Sequence, residues 1–376
     1  MRETWRAAVA AFTVSRALVF VLIVFVSQMA FEGKDASFGA WNTRVVLKAP
    51  RFVPELMRMM LIADATWYQA IADVGYERRA FDTSRQTTWA FFPLYPLTVR
   101  YVRVTPHYSL NGMVVSHLAF LGALLLLGAV ARGGGMSVED SQRAIWCAAL
   151  FPTSYFFSLP LPEAFFLLLS LAAWRAAQTE TWWAMGVLGG LAALARPGGI
   201  LLVIPLTLLA WRKARGQVAW VALVPLGTAT FMLFLDRITG NPFAFRDIQT
   251  AWYRTPAPFW AAFGRYTANP AMLSDPWNFL VLNFVMAVAV LLAALMFLAR
   301  REWALGLYTL AAILMPLSTG SLQSVSRYAV VIFPIFLLLA MAGRRPNAER
   351  VILATSALLL GWFVALFALR VDLALA

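Results

Sequence analysis

Residues 111–132 read NGMVVSHLAFLGALLLLGAVAR. As a helix this run is long enough to cross the hydrocarbon core of a bilayer, which takes about 20 apolar residues. Comparable runs occur at 7–31, 141–158, 162–178, 182–195, 197–211, 216–236, 278–299, 302–318, 325–342 and 348–370, about eleven in all. Only helices and closed barrels satisfy their backbone in lipid, and the alternating period of a barrel is absent. The fold class is therefore an all-α polytopic membrane protein, with residues 1–376 forming one integral membrane domain. Several runs fall short of the usual span, and short spans line cavities or tilt against neighbours. The first run lacks a small-x-small cleavage site and reads as an anchor, not a removed signal peptide. No internal repeat of fixed period is evident.

Composition agrees. Hydrophobic residues make up 61% of the chain and charged ones 13%, against about 25% charged in soluble domains. The net charge is +13, but Lys and Arg are dispersed, with no run dense enough for a nucleic-acid surface. That charge sets topology and attracts anionic headgroups or phosphates. Cys147 is the single cysteine, so no disulfide forms within the chain. His107 and His117 are too few for a metal cluster and read as packing or interface residues; no metal and no cofactor are expected.

Orientation follows from the short connections. Arg2, Arg6, Arg132, Arg143, Arg175, Arg212, Lys213, Arg215, Arg300, Arg301, Arg344, Arg345 and Arg350 all fall on one side of the spans. By the positive-inside rule that side is cytoplasmic. Two long polar insertions, 32–110 and 237–277, lie on the other side. Pro50, Pro54, Gly75 and Pro93 divide the first into short interfacial helices. Asp64, Glu163, Arg196, Gln323 and Arg327 come out at non-cytoplasmic ends of different segments. Polar groups gathered at one membrane face from distant parts of a chain point to a shared site.

Within the first insertion, residues 61–97 read LIADATWYQAIADVGYERRAFDTSRQTTWAFFPLYPL. Asp64 shares a helical face with Trp67, Tyr68 and Ile71, while Asp73 points elsewhere. The helix is predicted to stop near Gly75, and Phe91, Phe92, Pro93 and Pro96 then return the chain to the membrane surface. An acid among apolar and aromatic groups is a candidate general base, because lost solvation favours proton uptake; the alternative is a helix cap or a partner for an Arg. Arg196, in LARPGG, suits a phosphate or a pairing with Glu163. Gln323, Ser326 and Arg327 open a span in GSLQSVSRY; Gln323 and Arg327, four apart, would share a helical face and favour an anion, or Arg327 is an interfacial anchor. Glu163 orients a sugar hydroxyl, pairs with Arg196, or sits in a first turn where the dipole favours an acid. Trp67, Tyr68 and Tyr95 are candidate substrate contacts, although the aromatic stripes at 89–95 and 252–260 also suit an interfacial belt. Arg16, inside the first span, either packs between helices or snorkels, or it faces a lipid-phosphate tunnel.

DATWYQAIADVGY followed by AFFPLYPL resembles the first luminal loop of the second mannosyltransferase of glycosylphosphatidylinositol anchor assembly (PIG-V-like), especially its bacterial members. FPTSYFFSLPLPEAFFLLLSLAAW, GGLAALARPGGILLVIPL and STGSLQSVSRYAVVIFPIFLLLA are similar to later blocks of that family, in the same order, so the resemblance covers most of the chain. It implies a GT-C fold inverting glycosyltransferase of the bacterial plasma membrane, with its active site on the extracytoplasmic side. The donor would be a polyprenyl-phosphate sugar, mannose by analogy, and the acceptor a hydroxyl of a glycolipid or other extracytoplasmic molecule. A partner subunit is conceivable from the eukaryotic relatives. Asp64 would deprotonate the acceptor, and Arg196 and Arg327 would hold the departing lipid phosphate. Two positions depart from the pattern: Ala63 stands where the family commonly has Trp, and Pro162 where a hydroxyl or aromatic residue often precedes the Glu. The competing readings are a transporter or flippase of lipid-linked saccharides, which would place polar groups at mid-membrane, and a non-catalytic assembly subunit.

Overall fold

The computed structural model describes residues 2–30, 60–61, 64–102, 104–268 and 280–369. The interfacial helices expected between Glu32 and Met59, the departure at Ala63 and residues 269–277 of the second insertion lie outside the described residues. In chain order the α-helices of five or more residues are α1 (Arg2–Ala30), α2 (Asp64–Val74), α3 (Leu94–Tyr101), α4 (Tyr108–Gly133), α5 (Val138–Ala149), α6 (Glu163–Gln178), α7 (Trp182–Ala195), α8 (Val203–Lys213) and α9 (Leu223–Thr239). They continue as α10 (Phe259–Thr267), α11 (Leu280–Ala299), α12 (Trp303–Leu317), α13 (Val325–Ala329), α14 (Pro334–Ala342) and α15 (Pro346–Ala368). No strand occurs among the described residues.

Helix occupies each apolar run because these sequences are rich in Leu and Ala and leave the backbone no other way to satisfy itself in lipid. Among the described residues, five segments have the length and apolarity to cross a membrane: Glu3–Val26, Tyr108–Gly133, Arg215–Thr239, Val281–Ala299 and Pro346–Ala368. Trp182–Ala195 and Trp303–Leu317 are apolar but shorter. Leu118, Leu233 and Leu358 are 65%, 65% and 76% exposed on the long helices, an outward apolar surface that lipid solvates and water would not. The protein is an α-helical, polytopic membrane protein.

The bundle core runs along α4, α6 and α7, with α9 against α7, α11 against α12, and α1 against α5 and α15. Lipid supplies no hydrophobic drive between helices, so close packing must do so, and small residues permit it. Gly186 and Gly190 lie one turn apart on α7. A Cβ on Gly227 of α9 would sit 2.1 Å from the Gly190 carbonyl oxygen, and one on Gly186 would sit 2.2 Å from that of Trp220. The two backbones touch there, with no room for a methyl group.

Two predicted spans are broken. The run 141–158 stops being α-helical at Ala149, passes through Pro152 and resumes as a 3-10 turn at Ser154–Ser158. Arg16 of α1 fills the break. Its Nη1 donates to the Ser154 carbonyl and Ser158 Oγ, both at 2.8 Å, and its Nη2 donates to the Ala149 carbonyl at 3.2 Å and Ser154 Oγ at 3.0 Å. With Phe120 against its guanidinium and the residue only 3% exposed, Arg16 takes the first of its two readings, a side chain packed between helices. The run 325–342 likewise divides into α13 and α14, because Pro334 lacks the N–H needed to continue a helix and sits instead at a first turn.

Opposite ends of the bundle carry separate clusters of charge. At one end Asp140 accepts from Arg143 and Arg344, Arg143 also meets Glu349, Lys213 reaches Glu180, and Gln178 donates to the Val130 carbonyl. The ends of α4, α5, α6, α8, α14 and α15 therefore share one face. Glu163, at the far end of α6, is about 24 Å away by helical rise.

Two outcomes are expected. Gly227→Ala should separate α7 from α9 and lower the thermal unfolding midpoint in detergent, overpacking costing about 1–3 kcal/mol; Gly264→Ala, whose Cβ would meet nothing within 4 Å, should not. Burial alone would raise the Asp140 carboxyl, but Arg344 and Arg143 outweigh it and hold the group below its usual value of 3.8. Its contribution to stability is therefore complete above that value and is lost as pH falls through the lower native one. Asp140→Asn should lower the midpoint at pH 7, with the gap to wild type closing toward pH 3.

Candidate functional site

α2 carries the first acid. Asp64 is its first residue, Tyr68 and Ile71 are buried on the face it begins, and Asp73 is exposed on another. The helix ends at Val74, followed by Gly75 at φ 86°, whose N–H donates to the Ile71 carbonyl at 3.0 Å. Left-handed φ at that position is what glycine provides at little cost. Trp67 stacks on Phe91 and meets Trp252 edge-on, which ties α2 to both long insertions.

Four charged groups meet at the end of the bundle away from Asp140. Arg327 of α13 donates from Nη1 to Asp64 Oδ2 at 2.5 Å and from Nε to Glu163 Oε1 at 2.6 Å. Arg196, between α7 and the 3-10 turn Pro197–Leu202, brings Nη1 to within 3.0 Å of the same Glu163 oxygen. The Arg196 contact is a meeting of charges without hydrogen-bond alignment, and Glu163 Oε2 likewise has no hydrogen-bond partner among the described residues. Glu163 is fully buried, Arg327 and Arg196 are 6% and 8% exposed, and the Asp64 side chain is 32% exposed. Asp64 is thus the member of the chain open to an incoming molecule. Phe156 lies under Arg327, and Phe166 and Tyr328 flank Arg196.

Local structure explains each position. Glu163 opens α6 directly after Pro162, at the positive end of the helix dipole. α13 is set by Thr153 Oγ1, which donates to the Ser326 carbonyl at 3.1 Å, and by Asn283 Oδ1, which accepts from the Ser326 N–H at 2.9 Å. Tyr68 lies within electrostatic reach of all four charges, and burial pushes its phenol well above the ordinary range. It is a hydrogen-bond donor at any physiological pH.

Asp64, Glu163, Arg196 and Arg327 come together from four parts of the chain, with Tyr68 beside them. Of the readings open for Asp64, the structure shows the pairing with an arginine, since Arg327 is its immediate partner. Gln323 does not share a helical face with Arg327: α13 begins only at Val325, after Ser324 in a left-handed conformation, and Gln323 is exposed in the preceding turn. Tyr95 is fully buried, its hydroxyl donating to the Gly112 carbonyl at 3.1 Å and lying 2.9 Å from Ser116 Oγ. It supports Tyr68 from behind and cannot reach a substrate. Trp89 and Phe92 are also core residues, packed with Phe231 and Leu235 of α9, so the 89–95 stripe is not an interfacial belt. Burying them joins the first insertion to the end of α9, a link the Phe81 N–H adds to by donating to the Thr239 carbonyl at 2.9 Å.

One cation was not anticipated. Arg254, in the second insertion, donates from Nη1 to Tyr328 Oη at 3.3 Å and to Gln249 Oε1 at 3.4 Å. Its sequence signal is slight, a single Arg among aromatic residues and prolines in AWYRTPAP. Tyr328 and Arg196 in turn line an apolar pocket with Leu201, Tyr308, Met315 and Ile332. No three of His, Cys, Asp and Glu converge among the described residues. Comparison of the chain with protein-family models, with curated proteins and with solved structures gives no match.

Removing one partner from this chain of charges should be costly, because it leaves a buried charge without compensation. Arg327→Met should destabilise the fold by about 3–5 kcal/mol, read as a fall in thermal midpoint, while Gln323→Ala should leave the midpoint unchanged.

Proposed function

We propose that the protein is an inverting glycosyltransferase of the GT-C class that uses a polyprenyl-phosphate sugar, with mannose the sugar the family resemblance favours. The observation that carries this reading is the Asp64–Arg327–Glu163–Arg196 chain at one end of an apolar bundle. A partly exposed carboxylate adjoins buried guanidiniums, and an apolar pocket opens beside them. Such a transfer needs these parts. Asp64 takes the proton of the acceptor hydroxyl as that oxygen attacks the anomeric carbon from the face opposite the phosphate. The bond from the anomeric carbon to the phosphate oxygen breaks, its electron pair leaves with the polyprenyl phosphate, and the configuration inverts. Arg196 and Arg327 stabilise the growing negative charge on the phosphate in a setting that excludes water. Tyr68 offers a protonated hydroxyl to the sugar.

Sidedness follows from the positive-inside rule: the basic ends face the cytoplasm, and Asp64 works at the extracytoplasmic face of a bacterial plasma membrane. A flippase would place its polar groups near mid-membrane between moving halves, whereas these four sit at one end.

The test is direct. Purified protein incubated with radiolabelled polyprenyl-phosphate mannose and total membrane lipids should yield a labelled lipid or other hydroxyl product. Asp64→Asn should lower transfer at least about 100-fold without changing the thermal midpoint by more than the loss of one half-exposed ion pair. Undiminished transfer by that variant would rule out Asp64 as the base.

A further inference from the structure

We infer that Arg254, with the Tyr328 hydroxyl, is the primary ligand of the donor's phosphate, and that the pocket between Tyr328 and Met315 takes the first part of its hydrocarbon chain. The inference rests on the reading of the protein as a user of a lipid-borne phosphate, and it assigns that anion to a residue outside the Arg196–Arg327 pair.

Charge balance is the reason. Of the charged groups joined by the contacts above, Arg196, Arg327 and Arg254 face only Asp64 and Glu163. Arg327 is bonded to both carboxylates, and Arg196 lies against Glu163. A phosphate could ligate Arg327 fully only by displacing a carboxylate, and the charge of Arg196 is already opposed by Glu163, whose isolation in the core is unfavourable. Among the described residues Arg254 has no carboxylate partner. Its contacts, at 3.3 and 3.4 Å, are to a neutral phenol and a neutral amide, both long for hydrogen bonds. Among the described residues the site thus carries one uncompensated positive charge, held half-buried on a guanidinium whose planar fork suits a phosphate.

Placement supports the same conclusion. The Tyr328 hydroxyl accepts from Arg254, while its ring flanks Arg196 at 5.4 Å and forms part of the pocket wall. Arg254 is not itself in the pocket wall, but a phosphate held between it and the Tyr328 hydroxyl would border a cavity that Tyr328 lines together with Arg196, Leu201, Tyr308, Met315 and Ile332. An anion carrying a hydrocarbon tail matches both halves of that arrangement; inorganic phosphate matches only one. Trp252, two residues before Arg254, packs on Trp67 of α2, so the loop that would hold the phosphate is braced against the helix that carries Asp64.

The experiment measures binding without turnover. Tritiated farnesyl phosphate is titrated against the detergent-solubilised full chain, with farnesol and inorganic phosphate as competitors. Arg254→Gln should weaken farnesyl phosphate binding about tenfold or more, as expected for losing a charge-assisted bond, leave farnesol binding unchanged and so report an intact pocket. Arg254→Lys should recover part of the loss, and Tyr328→Phe should weaken binding less than Arg254→Gln does. Equal affinity of wild type and Arg254→Gln would overturn the inference while leaving the proposed glycosyl transfer standing. Failure of wild type to bind farnesyl phosphate would overturn both. Competition by inorganic phosphate as effective as that by farnesyl phosphate would overturn the role of the pocket.

Discussion

A carboxylate sealed inside an apolar helical bundle is the constraint from which the rest of this site follows. Glu163 is fully buried, and an isolated ionised carboxylate in such surroundings costs far more than a fold's net stability. Two guanidiniums must therefore converge on it, one from the end of α7 and one from α13. Arg327, once placed, has further donors to satisfy, and it reaches Asp64 of α2. A single buried acid thereby draws the first insertion, α6, α7 and α13 to one point, and the acid left most open to solvent is the one positioned for proton transfer.

Helix breaks make this convergence possible. A guanidinium at the middle of an unbroken span would face lipid or the packed core, at high cost. Here Arg196 stands where α7 gives way to Pro197, and Arg327 on a short helix that ends before Pro334. Pro162 performs the same service at the start of α6. The short segments of this chain are short because their ends carry the polar groups, and the long helices around them supply the lipid-facing wall.

How far the sequence foretold this depends on the kind of signal. Apolar runs are local and redundant, so the helices and their membrane character could be read directly, as could the stop at Gly75 and the separate directions of Asp64 and Asp73. The gathering of Asp64, Glu163, Arg196 and Arg327 at one end followed from counting spans, a global but simple rule. The Glu163–Arg196 pairing and an arginine partner for Asp64 were among the alternatives, but that Arg327 joins Asp64 to Glu163 did not follow, since it depends on distances between segments up to 263 residues apart. Helical periodicity misled at Gln323, because it assumes a helix that begins two residues later. Aromatic residues at 89–95 suited a membrane belt equally well, and only the packing of α9 against them decides for the core. Arg254 gave almost no signal, being one of many dispersed arginines in loops where charge rules do not apply.

Arg16 has a bearing on how the chain is made. Its helix leaves the ribosome ahead of its partner, since the carbonyl oxygen of Ala149 that it caps lies 133 residues further on. Until that segment is synthesised, the guanidinium has none of these acceptors within the bilayer. A buried guanidinium without acceptors is costly in lipid, so α1 is expected to wait near the headgroups or in the insertion machinery until α5 brings the broken end that receives its arginine.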